Sequence, residues 1–130
     1  MTFDKDVIKL LSAGTSLHEY GICNWAFNRR DAIVVLDGFK KLKIPVLGGD
    51  VYKFENGNPV STYENWYCEQ FEDESHEEFI SRSILIATEF INRIDSKDNS
   101  SFFVIVPDRA LIDTDEALVE LKRHWQVQKH

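Results

Sequence analysis

The stretch from Ile44 to Tyr67, IPVLGGDVYKFENGNPVSTYENWY, decides the fold. At its centre is Asn56-Gly57, a pair that tolerates positive φ and favours a tight turn between antiparallel strands. Before the turn, Val46, Leu47, Val51, Tyr52 and Phe54 are strand formers, and Pro45 suits a strand beginning. After it, Val60, Thr62, Tyr63, Trp66 and Tyr67 carry the chain back. A hairpin over about residues 44–67 is expected. Gly48-Gly49 marks a bulge or a close backbone approach that aims Asp50 at its neighbours. Strict alternation on the returning strand puts Tyr63, Asn65 and Tyr67 on one face and Glu64, Trp66 and Cys68 on the other.

Helical patterns flank the hairpin. Upstream, Asn28 can cap a helix in which Ala32, Val35, Leu36, Phe39 and Leu42 recur at helical spacing. Asp31 in its first turn and Lys40, Lys41 and Lys43 near its end complement the helix dipole. Asp37-Gly38 offers a rival hairpin turn, but Ala32 to Leu36 does not alternate. A shorter helix, about Phe3 to Ala13, places Phe3, Val7, Leu10 and Leu11 on one stripe and stops at Gly14. Thr15 to Phe27 has no clean period and reads as a partly buried connection with room for a short strand. Downstream, Ser75 and Glu78 form a capping box that opens a helix over about His76 to Ile94. Its inner side is Phe79, Ile80, Ile84, Ala87, Phe90, Ile91 and Ile94. A polar loop follows over Lys97 to Ser101. Phe102 to Val106 is then a buried strand, ended by Pro107, and a last helix is expected over about Asp115 to Trp125. The fold class is α+β, a small, mostly antiparallel sheet packed against helices. Residues 1–130 are expected to form a single domain.

The composition supports a packed core. The 130 residues are 43% hydrophobic and include nine Phe, four Tyr and three Trp, which excludes general disorder. No apolar run approaches the roughly eighteen residues of a membrane span. The first residues lack the basic flank and apolar core of a signal peptide, so a cytoplasmic location is expected. Cys23 and Cys68 should then be free thiols, and both are expected to be small buried side chains.

Charge is unevenly placed. Twenty-two acids against fifteen bases leave −7. Val46 to Ser81 holds nine acids and the single base Lys53, so this window carries all of the excess. Phosphate contact requires the opposite sign, which argues against direct nucleic-acid binding and against attachment to an anionic membrane.

Sites for chemistry are hard to assemble from the sequence. Neither C-x-x-C nor H-E-x-x-H occurs, and there is no G-x-S-x-G elbow. Glu72, Asp73, Glu74 and His76 lack the spacing and glycine of a calcium loop, and read as a hydrated loop before a helix. Gly48-Gly49-Asp50 is followed by no helix and no Lys-Ser or Lys-Thr, so it cradles no phosphate. Nor do Val51-Tyr52 supply the acid and aromatic that a cyclic-dinucleotide synthase turn needs. No cofactor and no enzymatic activity are expected. What remains is an acidic, aromatic surface suited to a basic protein partner. The candidate contact residues are Asp50, Tyr52, Glu64, Trp66, Tyr67, Glu69, Glu72, Asp73 and Glu74.

Several strings taken together carry a family resemblance. They are Asn24-Trp25-Ala26, Ile44 to Tyr52 with its Gly-Gly-Asp-Val-Tyr core, Asn65-Trp66-Tyr67-Cys68, and Phe102 to Val106 followed by Pro107-Asp108. In this order and spacing the chain resembles the bacterial immunity proteins of polymorphic toxin systems, in particular immunity protein family forty, over about Tyr20 to Asp108. The resemblance implies a cytoplasmic α+β protein that binds and blocks a cognate toxin domain, with no catalytic residue or cofactor. Many such toxins have basic substrate clefts, which an acidic surface would fit. The alternative is a small enzyme or ligand-binding domain with a pocket near Asp50, Tyr52, Glu64 and Trp66.

Overall fold

The computed structural model describes residues 5–94 and 100–109. The chain begins with helix α1 (Lys5–Leu11), followed by two short strands, β1 (Thr15–Ser16) and β2 (Trp25–Phe27), with a single 3-10 turn at His18–Tyr20 between them. Next come helix α2 (Arg29–Leu42), the hairpin strands β3 (Val46–Glu55) and β4 (Asn58–Tyr67), helix α3 (His76–Arg93) and strand β5 (Ser101–Pro107). The strands form one antiparallel sheet in the order β1-β2-β5-β3-β4. This is the α+β class expected. The final helix and most of the Lys97–Ser101 loop lie outside the described residues, as does Phe3 of the first helix.

The caps act where the sequence places them. Asn28 accepts a bond from the Asp31 amide at 2.8 Å. The Ser75 hydroxyl accepts from the Glu78 amide at 3.1 Å, and the Glu78 carboxylate accepts from the Ser75 amide at 3.0 Å. The Ser75 amide, aided by the Ser75 hydroxyl, holds the Glu78 carboxyl below its ordinary range. Asn56 and Gly57 both take positive φ at the hairpin turn.

One face of the sheet carries the helices. Trp25, Phe27, Val46, Val51, Phe103 and Ile105 meet α1, α2 and α3 in a continuous apolar core. Deep in that layer, Ser83 of α3 accepts the Val46 amide at 3.0 Å, fixing the start of β3 against the helix. The opposite face is covered in part by the β1–β2 connection. Leu17 packs there on Ala26 and Val104, with Ile22, Tyr52, Phe54 and Phe102 half-buried around them. Tyr20 closes this side by donating its hydroxyl to the Gly57 carbonyl at 2.9 Å.

Two irregularities shape β3 and β4. The β3–β5 register shifts between Val46 and Gly48, the bulge expected at the glycine pair. The β3–β4 register shifts between Asp50 and Tyr52, so Thr62, Tyr63 and Glu64 stand opposite Val51 alone. Tyr63 takes φ +66° there, a left-handed conformation that L side chains resist. Strict alternation along β4 is therefore broken at this point.

Cys23 corrects one expectation: it is exposed, while Cys68 is buried. The chain turns Asn24 inward instead. Its side chain donates to the Ile105 carbonyl at 3.0 Å and accepts from the Trp25 amide at 2.8 Å. Cys23, one residue earlier, is left facing solvent.

Candidate acidic and aromatic interface

The acidic loop after β4 is organised by Arg82 of α3. Its guanidinium donates to Glu74 through Nε at 2.6 Å and through Nη2 at 2.8 Å, a two-point pairing with one carboxylate. Nη2 also donates to the Glu69 carbonyl at 2.6 Å, and Nη1 lies 3.4 Å from Cys68 Sγ. The Phe71 ring covers the guanidinium, 3.8 Å from its centre. Glu74 accepts the Phe71 amide at 3.1 Å as well. Arg82 holds the Glu74 carboxyl below its usual range, and burial pushes the Cys68 thiol up against the opposing pull of Arg82. Glu74 is therefore a structural residue of the loop.

Glu69, Glu72 and Asp73 remain on the outside of this clamp, all exposed. Glu69 turns back to the strand, where it accepts the Tyr67 hydroxyl at 2.9 Å. That bond raises the Tyr67 phenol above its ordinary value, so the ring stays protonated and anchored. Tyr67 is 73% exposed and Tyr63, on the bulge, 89%. Glu64 is exposed beside Tyr63.

On the sheet face away from the helices, neighbouring strands set side chains in rows. Gly48 stands between Tyr67 and Val106, Asp50 between Asn65 and Val104, and Tyr52 between Ser61 and Phe102. Asp50 and Tyr52 are half-buried, and burial together with the Asp50 charge raises the Tyr52 phenol. A depression of about 340 Å³ opens at the first two rows. Trp66 belongs to the other face: it is 8% exposed and packs on Phe90 of α3 with ring centres 4.8 Å apart. It supports the strip from beneath and offers no surface ring.

Asp50 and Tyr67 thus line one depression, Tyr67 is hydrogen-bonded to Glu69, and Tyr52 lies one row beyond Asp50. Glu72 and Asp73 extend the acid along the loop, while Trp66 and Glu74 face inward. Sequence reasoning passed over Tyr63, Phe71 and Arg82. Arg82 lies one residue beyond the acidic window, which is why Glu74 read as uncompensated. Among the described residues no cluster of three or more His, Cys, Asp or Glu could hold a metal ion, and no helix is long and apolar enough to cross a membrane.

An open antiparallel sheet backed by helices sets the structural class, α+β. Residues 16–107 match the family described as immunity protein 40, and the chain belongs to that family. The match runs from Ser16 of β1 to the end of β5 and so takes in β2 to β5, α2, α3 and the clamped loop. No curated protein and no solved structure matches the chain.

Proposed function

We propose that this protein binds a cognate bacterial toxin domain in the cytoplasm and blocks it, and that it does so through the β4 edge and the acidic loop. The carrying observation is that Glu69, Glu72 and Asp73 stay solvent-facing in a loop whose other charge, Glu74, is fully engaged by Arg82. Carboxylates crowded in this way repel one another, and a basic partner offsets that repulsion during encounter and after docking. Exposed Tyr63 and Tyr67 supply the rings that anchor protein interfaces. The protein is read as non-enzymatic. The small-enzyme alternative is the weaker reading: the depression at Asp50 brings in one carboxylate, and Tyr52 and Glu64 do not line it. The carboxyls with shifted proton affinity, Glu74 and Glu78, are both shifted down, opposite to a general acid.

The test uses the toxin domain encoded beside this gene. Co-expression should restore growth of cells making the toxin. Surface plasmon resonance should show association that slows with salt. Reversing Glu69, Glu72 and Asp73 to Lys should slow association at least about tenfold at low salt, with the far-UV spectrum unchanged. Association indifferent to both salt and reversal would remove the acidic strip from the mechanism, and failure to protect cells would remove the function.

A further inference from the structure

The depression on the sheet face away from the helices has a construction the general reading does not explain. Its floor lies at Gly48, a residue with no side chain, set between Tyr67 on β4 and Val106 on β5. Tyr67 and Val106 flank this trough as an aromatic and an aliphatic wall. Two residues along β3, Asp50 enters the same cavity, flanked by Asn65. At about 340 Å³ the space is at the small end of ligand cavities, room for one long side chain.

We propose that this trough receives an arginine side chain of the protein partner. The inference rests on the reading that the acidic strip meets a basic protein, and it names the group that enters. Three features select a guanidinium. The Tyr67 ring is exposed but tethered, because its hydroxyl is bonded to Glu69, so it presents a fixed aromatic wall on which a flat cation stacks. The Asp50 carboxylate is half-buried, and among the described residues it forms no ion pair or hydrogen bond, so it is free to accept two parallel N–H donors. Asn65 donates to the Tyr63 carbonyl at 3.4 Å, which leaves its own amide oxygen to accept a further donor. An apolar side chain in the same place would desolvate Asp50 without compensation. A lysine fits less well, since its compact, strongly hydrated ammonium neither stacks nor pairs at two points. Arg82, the guanidinium that organises the neighbouring loop, is held by Glu74.

The test begins without the toxin. The full-length protein, labelled with nitrogen-15, is titrated with Ac-Gly-Arg-Gly-NH2 and with matched peptides carrying lysine or citrulline. The arginine peptide should shift the amides of Gly48, Asp50, Tyr67 and Val106, with affinity at least about threefold above the lysine peptide. The citrulline peptide, which keeps the shape and loses the charge, should shift none of them. Asp50→Asn should abolish the response, and so should Tyr67→Ala at its exposed position, each with the remaining spectrum intact. Equal response to citrulline, or shifts scattered away from these residues, would overturn the proposal. In the toxin complex, Asp50→Asn should raise Kd at least about tenfold. A toxin that binds wild type and Asp50→Asn alike overturns the arginine trough and leaves the immunity function standing. A toxin that does not bind wild type, beside a peptide response confined to the trough, overturns the function and supports the trough's chemistry.

Discussion

Replacing Gly49 with alanine probes the sheet at its tightest point. A Cβ at this position stands 2.2 Å from the Val104 carbonyl oxygen and 2.2 Å from Cη2 of Trp66. Non-bonded carbon atoms settle at about 3.5–4.0 Å, so roughly an ångström or more of movement is required on both sides. Neither side yields easily. Val104 is backbone in a strand paired on its far edge to β2, and Trp66 is locked under Phe90. Overpacking of a core costs about 1–3 kcal/mol, and contact with a fixed backbone places this case near about 3 kcal/mol. Gly48→Ala should behave similarly, because its Cβ falls 2.3 Å from the Trp66 carbonyl oxygen. Gly57 provides the contrast. Nothing lies within 4 Å of its Cβ, and only its φ of +82° opposes a side chain, which costs about 1 kcal/mol. Urea unfolding followed by tryptophan fluorescence should therefore rank the midpoints as wild type, then Gly57→Ala, then Gly49→Ala, with unchanged slope. A Gly49→Ala midpoint equal to that of Gly57→Ala would refute the argument, since β3 and its two neighbours, β4 and β5, would then have slack.

Further outcomes are expected elsewhere. Tyr63→Asn, which suits left-handed backbone, should hold or raise stability by up to about 1 kcal/mol while weakening toxin binding; a loss of stability would show that the ring packs. Glu74 has a folded pKa below its ordinary 4.5, so its bond to Arg82 stabilises the fold above that value and is lost as pH falls through the folded value. Glu74→Gln should accordingly lower the urea midpoint at neutral pH, with the gap to wild type closing in acid; a gap that stays constant with pH would contradict the pairing. In the native protein Cys23 should react quickly with a thiol reagent and Cys68 only on unfolding, as exposed and buried free thiols do. Rapid labelling of Cys68 would mean that the Arg82 clamp opens.

The hairpin, the two long helices and their caps were legible because each is written in local chemistry: Asn56-Gly57 for the turn, Asn28 for one cap, Ser75 with Glu78 for the other. β2 was legible only as apolar content, since Trp25, Ala26 and Phe27 are all buried and show no alternation. Two-residue β1 left no pattern at all. The candidate site was legible as composition rather than geometry. Alternation correctly separated Tyr67 from Trp66, but it could not foresee three residues bulging against Val51, and so it missed what exposes Tyr63. Nor does any local rule join Arg82 to Glu74 and Glu69, because that contact depends on how α3 returns beneath the end of β4.

The bulge in β4 also bears on what the protein does with copies of itself. An outermost strand displays unpaired amides and carbonyls, on which another chain can lay a strand of its own. Here Thr62 to Glu64 interrupts that display midway. The Tyr63 and Glu64 amides are already taken by the hydroxyls of Ser61 and Thr62, at 3.0 and 3.2 Å. The extra residues also twist the strand away from a straight template. Such a strand resists edge-to-edge stacking into fibres. This edge can be read through its side chains but not lengthened into a continuous sheet.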